Sequence, residues 1–197
     1  MTKSTFASYR RSIYADLYRR TGHASPAHLV KHLVYGGPFK YNFWLRTSAY
    51  SARAPFLRLV LYPIARFRLR RLTFKLGILI PYRTSIDDGL YIVHAGNIVV
   101  NGKTVIGRNC TLCHGVTLGE AARGKRKGCP TIGDNVYLGP GAKVFGAVTI
   151  GNNVAVGANC VVTTDIPDNS VVVGVPGRVI SNHGASAYVT RTDYGEL

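Results

Sequence analysis

The stretch TIGDNVYLGPGAKVFGAVTIGNNVAVGANCVV, residues 131–162, carries an aliphatic side chain at every sixth position. The same step runs upstream of an insertion, so that the aliphatic positions of the repeat are Ile106, Leu112, Leu118, Ile132, Leu138, Val144, Ile150, Val156 and Val162. Helices repeat at about 3.6 residues and single strands at about two, so a sustained period of six requires another architecture. The pattern predicts a β-solenoid whose flat sides each take one hexapeptide, with the aliphatic side chain pointing inward.

Two insertions interrupt this step. Ile92 and Ile106 are fourteen positions apart, two more than two hexads require, and Leu118 and Ile132 are also fourteen apart, eight more than one hexad requires. The longer excess is a loop at residues 120–131, EAARGKRKGCPT. Long excursions from a regular scaffold usually carry function, so we expect this loop to belong to the site.

The net charge of +16 is concentrated before the repeat. Up to Arg83 the chain carries sixteen Lys and Arg against Asp16 alone, whereas nine Lys and Arg are matched by eight Asp and Glu beyond that point. We therefore divide the chain into a basic, mainly helical N-terminal region (1–83), a solenoid (84–180) and a polar tail (181–197) that we expect to be poorly ordered.

Residues 57–72 place apolar side chains among arginines, and we expect Pro63 to interrupt them. A basic amphipathic segment of this kind is typical of helices that lie on an anionic membrane surface. The alternative is a helix packed on the end of the solenoid with its arginines in water. No recognised nucleic-acid motif accompanies the charge, so we predict no nucleic-acid partner.

The sequence predicts a cytoplasmic protein and leaves open a peripheral contact with the inner face of the cytoplasmic membrane. The N-terminus lacks the apolar core of a secretory signal, and no apolar run approaches the ~20 residues that a membrane-spanning helix needs. Four cysteines without such a signal fit a reducing compartment.

Two histidines fall in one column of the predicted solenoid. His94 and His114 are twenty positions apart, and removing the two inserted residues leaves eighteen, which is one coil of three hexads. The same column continues to Pro140 and Ala158. A neutral imidazole can accept a proton near pH 7, so the pair is a candidate general base. The alternative is that two surface histidines share a column by chance.

From residue 89 to residue 180 the sequence resembles the left-handed β-helix acyltransferases, in the serine acetyltransferase superfamily. The segments that carry the likeness lie around His94, around Cys129 and Pro130, and at residues 174–178, GVPGR. Within that superfamily the sequence is most similar to the branch that acts in capsule and exopolysaccharide synthesis, typified by the colanic acid acetyltransferases. The resemblance implies an all-β left-handed parallel β-helix (hexapeptide repeat) with an α-helical N-terminal region.

The resemblance also implies a homotrimer with active sites between adjacent solenoids, and acetyl-CoA as co-substrate with no metal. His94 matches the general base of the serine acetyltransferases. Val93 stands where those enzymes have an aspartate, and Cys129 stands where they have a second catalytic histidine. Both departures argue against serine as acceptor, and a cysteine before this proline is similar to the polysaccharide branch.

Further site residues are carried over from the same resemblance. His114 takes a supporting or second catalytic role, and Arg126 and Lys127 of the loop could pair with CoA phosphates or an anionic glycan, or be solvated. The expected cofactor-binding residues, first along pantetheine and then near the nucleotide, are Gly139, Pro140, Ala158, Thr163, Thr164 and Arg178.

We therefore expect an acetyl-CoA-dependent O-acetyltransferase that acts on a sugar hydroxyl of a lipid-linked or growing surface polysaccharide. Alternatives are serine O-acetylation, a zinc-dependent hydratase on the same solenoid, and a non-catalytic trimeric scaffold. A hydratase needs three histidines at the metal, and the repeat offers two.

Cys110 and Cys113 form a C-x-x-C pair without a second pair, which favours buried thiols over zinc. Cys129 could carry the acyl group only with a depressed pKa.

Overall fold

Across residues 5–195, which the computed structural model describes, four helices precede fifteen short strands. The helices are α1 (Phe6–Thr21), α2 (Pro26–Tyr35), α3 (Gly37–Ser51) and α4 (Pro55–Leu76). The strands are β1 (Ile78–Leu79), β2 (Ser85–Ile86), β3 (Tyr91–Ile92), β4 (Ile98–Val100), β5 (Val105–Ile106), β6 (Thr111–Leu112), β7 (Thr117–Gly119), β8 (Thr131–Ile132), β9 (Tyr137–Leu138), β10 (Lys143–Phe145), β11 (Thr149–Ile150), β12 (Ala155–Val156), β13 (Val161–Val162), β14 (Val171–Val173) and β15 (Arg178–Ser181).

The strands form three sheets, which are the three sides of a parallel β-helix. Sheet A has the order β1-β4-β7-β10-β13, sheet B has β11-β8-β5-β2, and sheet C has β15-β14-β12-β9-β6-β3. From β1 to β13 every third strand therefore returns to the same sheet, after which β14 joins β12 in sheet C and β15 pairs antiparallel with β14. One coil is three hexads, as the period predicts.

The aliphatic hexad positions form the core of this helix. All nine, from Ile106 to Val162, are at most 1% exposed, so the prediction that they point inward is confirmed. Each such side chain contributes about 1.5–3 kcal/mol when it is fully buried. The flat sides are joined by tight corners, and asparagines occupy the left-handed conformation there: Asn109, Asn135 and Asn153 have φ of 58°, 56° and 53°. The amide of Asn109 also donates to that of Asn135 on the next coil, at 2.9 Å.

Helices α3 and α4 close the open end of the β-helix. Tyr41, Leu45 and Leu69 are buried in the same cluster as the first strands, and the Tyr41 hydroxyl accepts from the Ile80 N–H at 2.9 Å. The sequence-based expectation that Pro63 interrupts this region was wrong, because α4 runs through it from Pro55 to Leu76. A proline removes one helical hydrogen bond, and packing of Leu69 on the core holds the helix on either side of it.

A buried ion pair attaches α1 to the first coil. Asp16 is 1% exposed, and Arg46 of α3 donates to both of its carboxylate oxygens at 3.1 Å. The same carboxylate accepts from the backbone N–H groups of Leu90, at 2.8 Å, and Gly89, at 3.1 Å. Arg19, also buried, donates to Thr111 Oγ1 at 2.6 Å on the second coil. These contacts join the helical region to the β-helix through hydrogen bonds as well as apolar packing.

The tail differs from the expectation of poor order. Ala185 and Val189 are buried against Ala155, and the ring of Tyr188 stacks on Tyr137 with centroids 4.8 Å apart. The carbonyl of Thr190 accepts from Arg19. Sequence alone could not show this, because the small apolar residues of the tail are few and their partners lie far away along the chain.

Candidate active site

His94 and His114 lie at the corner between sheet C and sheet A, which we call the histidine corner. Ile92 pairs with Leu112 in register, and Leu112 pairs with Leu138. Two residues further on, His94, His114 and Pro140 therefore occupy equivalent places on successive coils, and Ala158 follows because Val156 pairs with Leu138. The predicted column is confirmed.

The two imidazoles bring two potential proton acceptors together in this column. Their ring centroids are 6.2 Å apart with the planes inclined at 65°, and both side chains are exposed. A substrate hydroxyl can reach either ring from solvent without any rearrangement of the core. Proton removal needs a heavy-atom distance of about 2.6–3.2 Å, so one small acceptor can contact one ring while the other remains close.

The first insertion widens the histidine corner itself. Ile92 pairs with Leu112, an offset of twenty, whereas Val99 pairs with Thr117, an offset of eighteen. The two additional residues therefore lie between Ile92 and Val99, in the segment that contains His94. The carbonyl of Gly96 accepts from the Gly115 N–H at 2.8 Å, which holds the bulge above His114.

Below the imidazoles the column runs on as small residues. Pro140 and Ala158 are followed by Gly174, because Val156 pairs with Val172. At about 4.8 Å per coil, the four steps from His94 to Gly174 span about 19 Å. Arg178 pairs with Val173 and so lies beside the lower end of the column. The result is a strip with reactive groups at one end, small side chains along its length and a cation at the other.

The inserted loop leaves from a different corner, between sheet A and sheet B. An antiparallel bridge joins Ala121 to Gly128, and Arg126 pairs with Asp165 at 2.9 Å. Cys129 lies beside Lys103, because Val105 pairs with Thr131. The loop is therefore folded back against the coil below it.

Cys129 does not have the electrostatics of a nucleophile. Partial burial raises the pKa of its thiol, and Glu120 raises it further, while Lys103 opposes the shift. The thiol is consequently protonated near pH 7, and a protonated thiol is a poor nucleophile. The basic residues of the loop do not produce the depressed pKa that acyl transfer through this cysteine would require.

Within one chain the histidine corner and the loop corner are separated by the width of sheet A. From His114 the chain turns the corner at Gly115 and runs along β7 to Glu120, so these six residues span at most about 20 Å. A small acceptor at His94 cannot also contact Cys129, Arg126 or Lys127 of the same chain. Thr163 and Thr164 follow β13 and lie on the loop side of sheet A, also away from the column. Gly139 lies in the column's corner and is buried.

Lys143 lies near the histidine corner and was not predicted as a site residue from the sequence. It points outward from sheet A, in register with Thr117, and its ammonium donates to the carbonyl of Gly115 next to His114. The residue before each aliphatic hexad position faces outward on its sheet. This rule could have identified Lys143 from the sequence. Lys143 brings a positive charge to the edge of the histidine corner.

The cysteines do not suggest a metal centre. Cys110, Cys113 and Cys160 are buried as free thiols, and burial raises the pKa of Cys110 to about 12. Among residues 5–195 no three His, Cys, Asp or Glu side chains lie close enough together to hold a metal ion.

Comparison with known proteins identifies the relatives of this chain. A family model described as bacterial transferase hexapeptide (six repeats) matches residues 129–164. A serine acetyltransferase of Bacillus subtilis is 35% identical over 175 residues, covering 88% of this chain and 70% of the relative. The soybean serine acetyltransferase apoenzyme superposes with a TM-score of 0.70 at 30% identity, covering 88% of this chain and 69% of that one. A serine acetyltransferase in complex with CoA gives 0.66 at 25% identity, covering 87% and 68%.

These findings confirm the left-handed β-helix with a helical N-terminal region and correct the expected acceptor. The relatives and structural neighbours are serine acetyltransferases, so the assignment to the colanic acid and capsule branch, with a sugar hydroxyl as acceptor, was wrong. That assignment depended on two positions, Val93 and Cys129. Similarity that extends over most of the chain outweighs two substitutions at one site.

Proposed function

Because this chain belongs to the serine acetyltransferase family of hexapeptide-repeat transferases, we propose that it transfers the acetyl group of acetyl-CoA to the hydroxyl oxygen of serine, with His94 as general base. The chain is an acyltransferase with acetyl-CoA as its co-substrate. The observation that carries the proposed chemistry is the exposed imidazole pair at the head of a strip of small residues.

The reaction needs a group that accepts the hydroxyl proton and an open path by which the hydroxyl oxygen reaches the thioester. A nitrogen of His94 takes the proton of the serine hydroxyl as the oxygen attacks the acetyl carbonyl carbon. The carbon–sulfur bond then breaks, and the CoA sulfur leaves as the thiol with the proton that the imidazole held. General base catalysis of this kind accelerates a reaction by about 10²–10⁴-fold.

The strip below His94 suits the arm of acetyl-CoA. Its residues are small at Pro140, Ala158 and Gly174, so an extended chain can lie along the corner for about 19 Å. Arg178 at the lower end offers a guanidinium for phosphate. The thioester would then lie at the imidazoles, which is where the acceptor oxygen needs it.

We further propose that the active site is completed between copies in a homotrimer. The loop bearing Cys129 leaves from the edge of sheet A opposite to the imidazoles of its own chain. Sheet A also displays Leu79, Val99 and Phe145, which are 52%, 42% and 37% exposed. A second solenoid packed on this face would cover those side chains and bring its loop to the first chain's histidine corner.

Val93 and Cys129 change how serine is held rather than which group removes the proton. A carboxylate beside the base would orient its imidazole, and valine cannot do so. A second imidazole is still present, since His114 lies 6.2 Å from His94 between ring centroids. We therefore expect serine to be acetylated with a lower kcat/KM than in relatives that have the aspartate and the second loop histidine.

The test is an assay of free thiol release from acetyl-CoA with L-serine, with the product identified by mass spectrometry. L-Alanine is the matched control, because it differs from serine only in lacking the hydroxyl. We expect thiol release and a product heavier by one acetyl group with serine, and no acceptor-dependent release with alanine. Equal release with serine, with alanine and without acceptor would mean hydrolysis and would contradict the proposal.

A further inference from the structure

Helix α4 packs one face on the end of the β-helix and turns the other outward. Ala65 and Leu69 are buried on the inner face. The outward face carries an apolar stripe at spacings that match the helical period, formed by Phe56, Val60, Pro63, Phe67 and Phe74. Phe56, Phe67 and Phe74 are 80%, 59% and 76% exposed. Three phenylalanines on one exposed helix face are an interaction surface and not a random scatter of single apolar residues.

The same helix is strongly basic. Residues 55–76 contain six Lys and Arg and no Asp or Glu, and no acidic residue occurs anywhere between Asp16 and Asp87. The ion pairs found among residues 5–195 use Arg11, Arg46, Lys103 and Arg126, and none uses a cation of α4. Arg71 and Arg70 instead lie 5.8 and 6.0 Å from the ring centres of Phe67 and Phe74. Apolar rings and unneutralised charge therefore alternate along one surface.

A groove of about 850 Å³ adjoins this face, between α4 and helices α2 and α3. Its cations are Lys40, Arg68, Arg71 and Lys75, and its apolar wall includes Trp44 and Phe74. Among residues 5–195, no acidic side chain and no residue of the β-helix lines it. The groove therefore combines an apolar interior with a cationic rim, which matches an amphiphile that has an anionic head.

We propose that α4 and this groove bind an anionic phospholipid bilayer. Helices with phenylalanine and leucine beside Lys and Arg lie in the plane of the headgroups with their apolar side chains among the acyl chains. In this arrangement Phe56, Phe67 and Phe74 enter the bilayer boundary, and the arginines contact phosphates. A lipid headgroup occupies the cationic rim of the groove. The proposal concerns a different surface from the histidine corner and does not depend on the identity of the acceptor.

Two other occupants fit the surface less well. A second copy of the chain packed face to face through α4 would bring like charges together, since this helix has no acidic residue to receive an arginine. A nucleic-acid duplex would neutralise the arginines but would leave the exposed phenylalanines in water, because its bases are already stacked. A bilayer satisfies both the charge and the apolar stripe.

The experiment measures co-sedimentation of the full chain with phosphatidylcholine vesicles that contain or lack phosphatidylglycerol. We expect binding at least about tenfold tighter to the anionic vesicles, weakening as salt is added. Phe67→Ser/Phe74→Ser should weaken this binding about tenfold by removing inserted apolar area. Arg68→Gln/Arg71→Gln should weaken it by a similar factor. The control Arg10→Gln/Lys125→Gln removes the same charge elsewhere and should change binding less than about twofold.

Unchanged thermal unfolding midpoints and gel-filtration volumes establish that the variants are folded. Equal binding to both kinds of vesicle, or wild-type binding by the phenylalanine variant, would overturn the proposal. A wild-type assembly that dissociates on Phe67→Ser/Phe74→Ser without lipid would instead assign the face to a second copy. Binding to a homopolymer RNA that the phenylalanine substitutions leave intact, without vesicle binding, would assign it to nucleic acid.

Discussion

The β-helix and the helical region before it differ in how far they bury their apolar side chains. In the β-helix the aliphatic hexad residues are buried to within 1%, and the charges of residues 84–197 nearly balance. In the helical region Leu69 joins the core, while Phe56 and Phe74 on the same helix remain largely exposed beside unpaired cations. The first region is complete as a fold, apart from the faces that meet other copies. The second leaves an apolar and cationic face of α4 exposed.

This contrast assigns separate tasks to the two regions. The proposed chemistry depends on residues of the histidine corner, and the proposed membrane location depends on α4. A change in one region should therefore leave the other property intact unless it breaks the contacts that join them. Three experiments test that separation.

Replacing the proposed base should have the largest effect. His94→Ala is expected to lower kcat/KM for acetyl transfer about 10³-fold, because the hydroxyl proton then has no positioned acceptor. Vesicle binding should not change. The control is His183→Ala, an exposed histidine of the tail outside the column, which should keep full activity. A His94→Ala enzyme with wild-type kcat/KM would move the base to another residue, with His114 the next to replace.

Breaking the buried ion pair that joins the helical region to the β-helix should destabilise both regions. Asp16→Asn leaves the buried Arg46 without its carboxylate, and loss of one partner of a buried pair costs about 3 kcal/mol or more. Chemical denaturation should show this loss in the free energy of unfolding. Asp88→Asn is the matched control: its ion pair with Arg11 is partly exposed, so we expect a loss below about 1 kcal/mol. Equal losses would show that the Asp16 pair does not hold the regions together.

The smallest effect concerns the loop corner of the β-helix. The pKa of Cys129 is raised by partial burial and by Glu120, so its thiolate fraction near pH 7 is low and should grow as pH rises. Alkylation by iodoacetamide should therefore be slow at neutral pH and accelerate in alkali. Glu120→Gln lowers that pKa and should speed the neutral reaction by about two- to threefold. Cys129→Ala is the labelling control, since the other three thiols are buried. Rapid labelling at neutral pH would restore Cys129 as a candidate nucleophile.

Prediction from sequence succeeded where the repeat sets the geometry and failed where distant residues meet. The period placed Ile132 and Leu138 in the core and His94 above His114, because both depend on spacing within one coil. It did not predict that α4 continues through Pro63, that the tail packs on Ala155, or that Asp16 and Arg46 pair. Each of those features depends on contacts between segments that carry no shared period.

The acceptor shows a different limit of sequence reasoning. Two substitutions at the site, Val93 and Cys129, favoured a sugar, whereas relatives across most of the chain are serine acetyltransferases. Residue matching at single positions identifies what a side chain can no longer do. It does not identify the substrate, which depends on the whole surface around the base.

The hexad sequence by itself determined the three-sided coil, the inward aliphatic residues and the placement of the two imidazoles on successive coils, because hydrogen-bond register turns spacing directly into position. Only the tertiary structure placed the two additional residues between Ile92 and Val99, in the segment that contains His94, and put the loop corner at the opposite edge of sheet A from that base. It also decided which face of α4 remains in solvent. Burial depends on what packs against a residue, and the elements that pack on α4 cover Leu69 while leaving the phenylalanines of its outward face exposed.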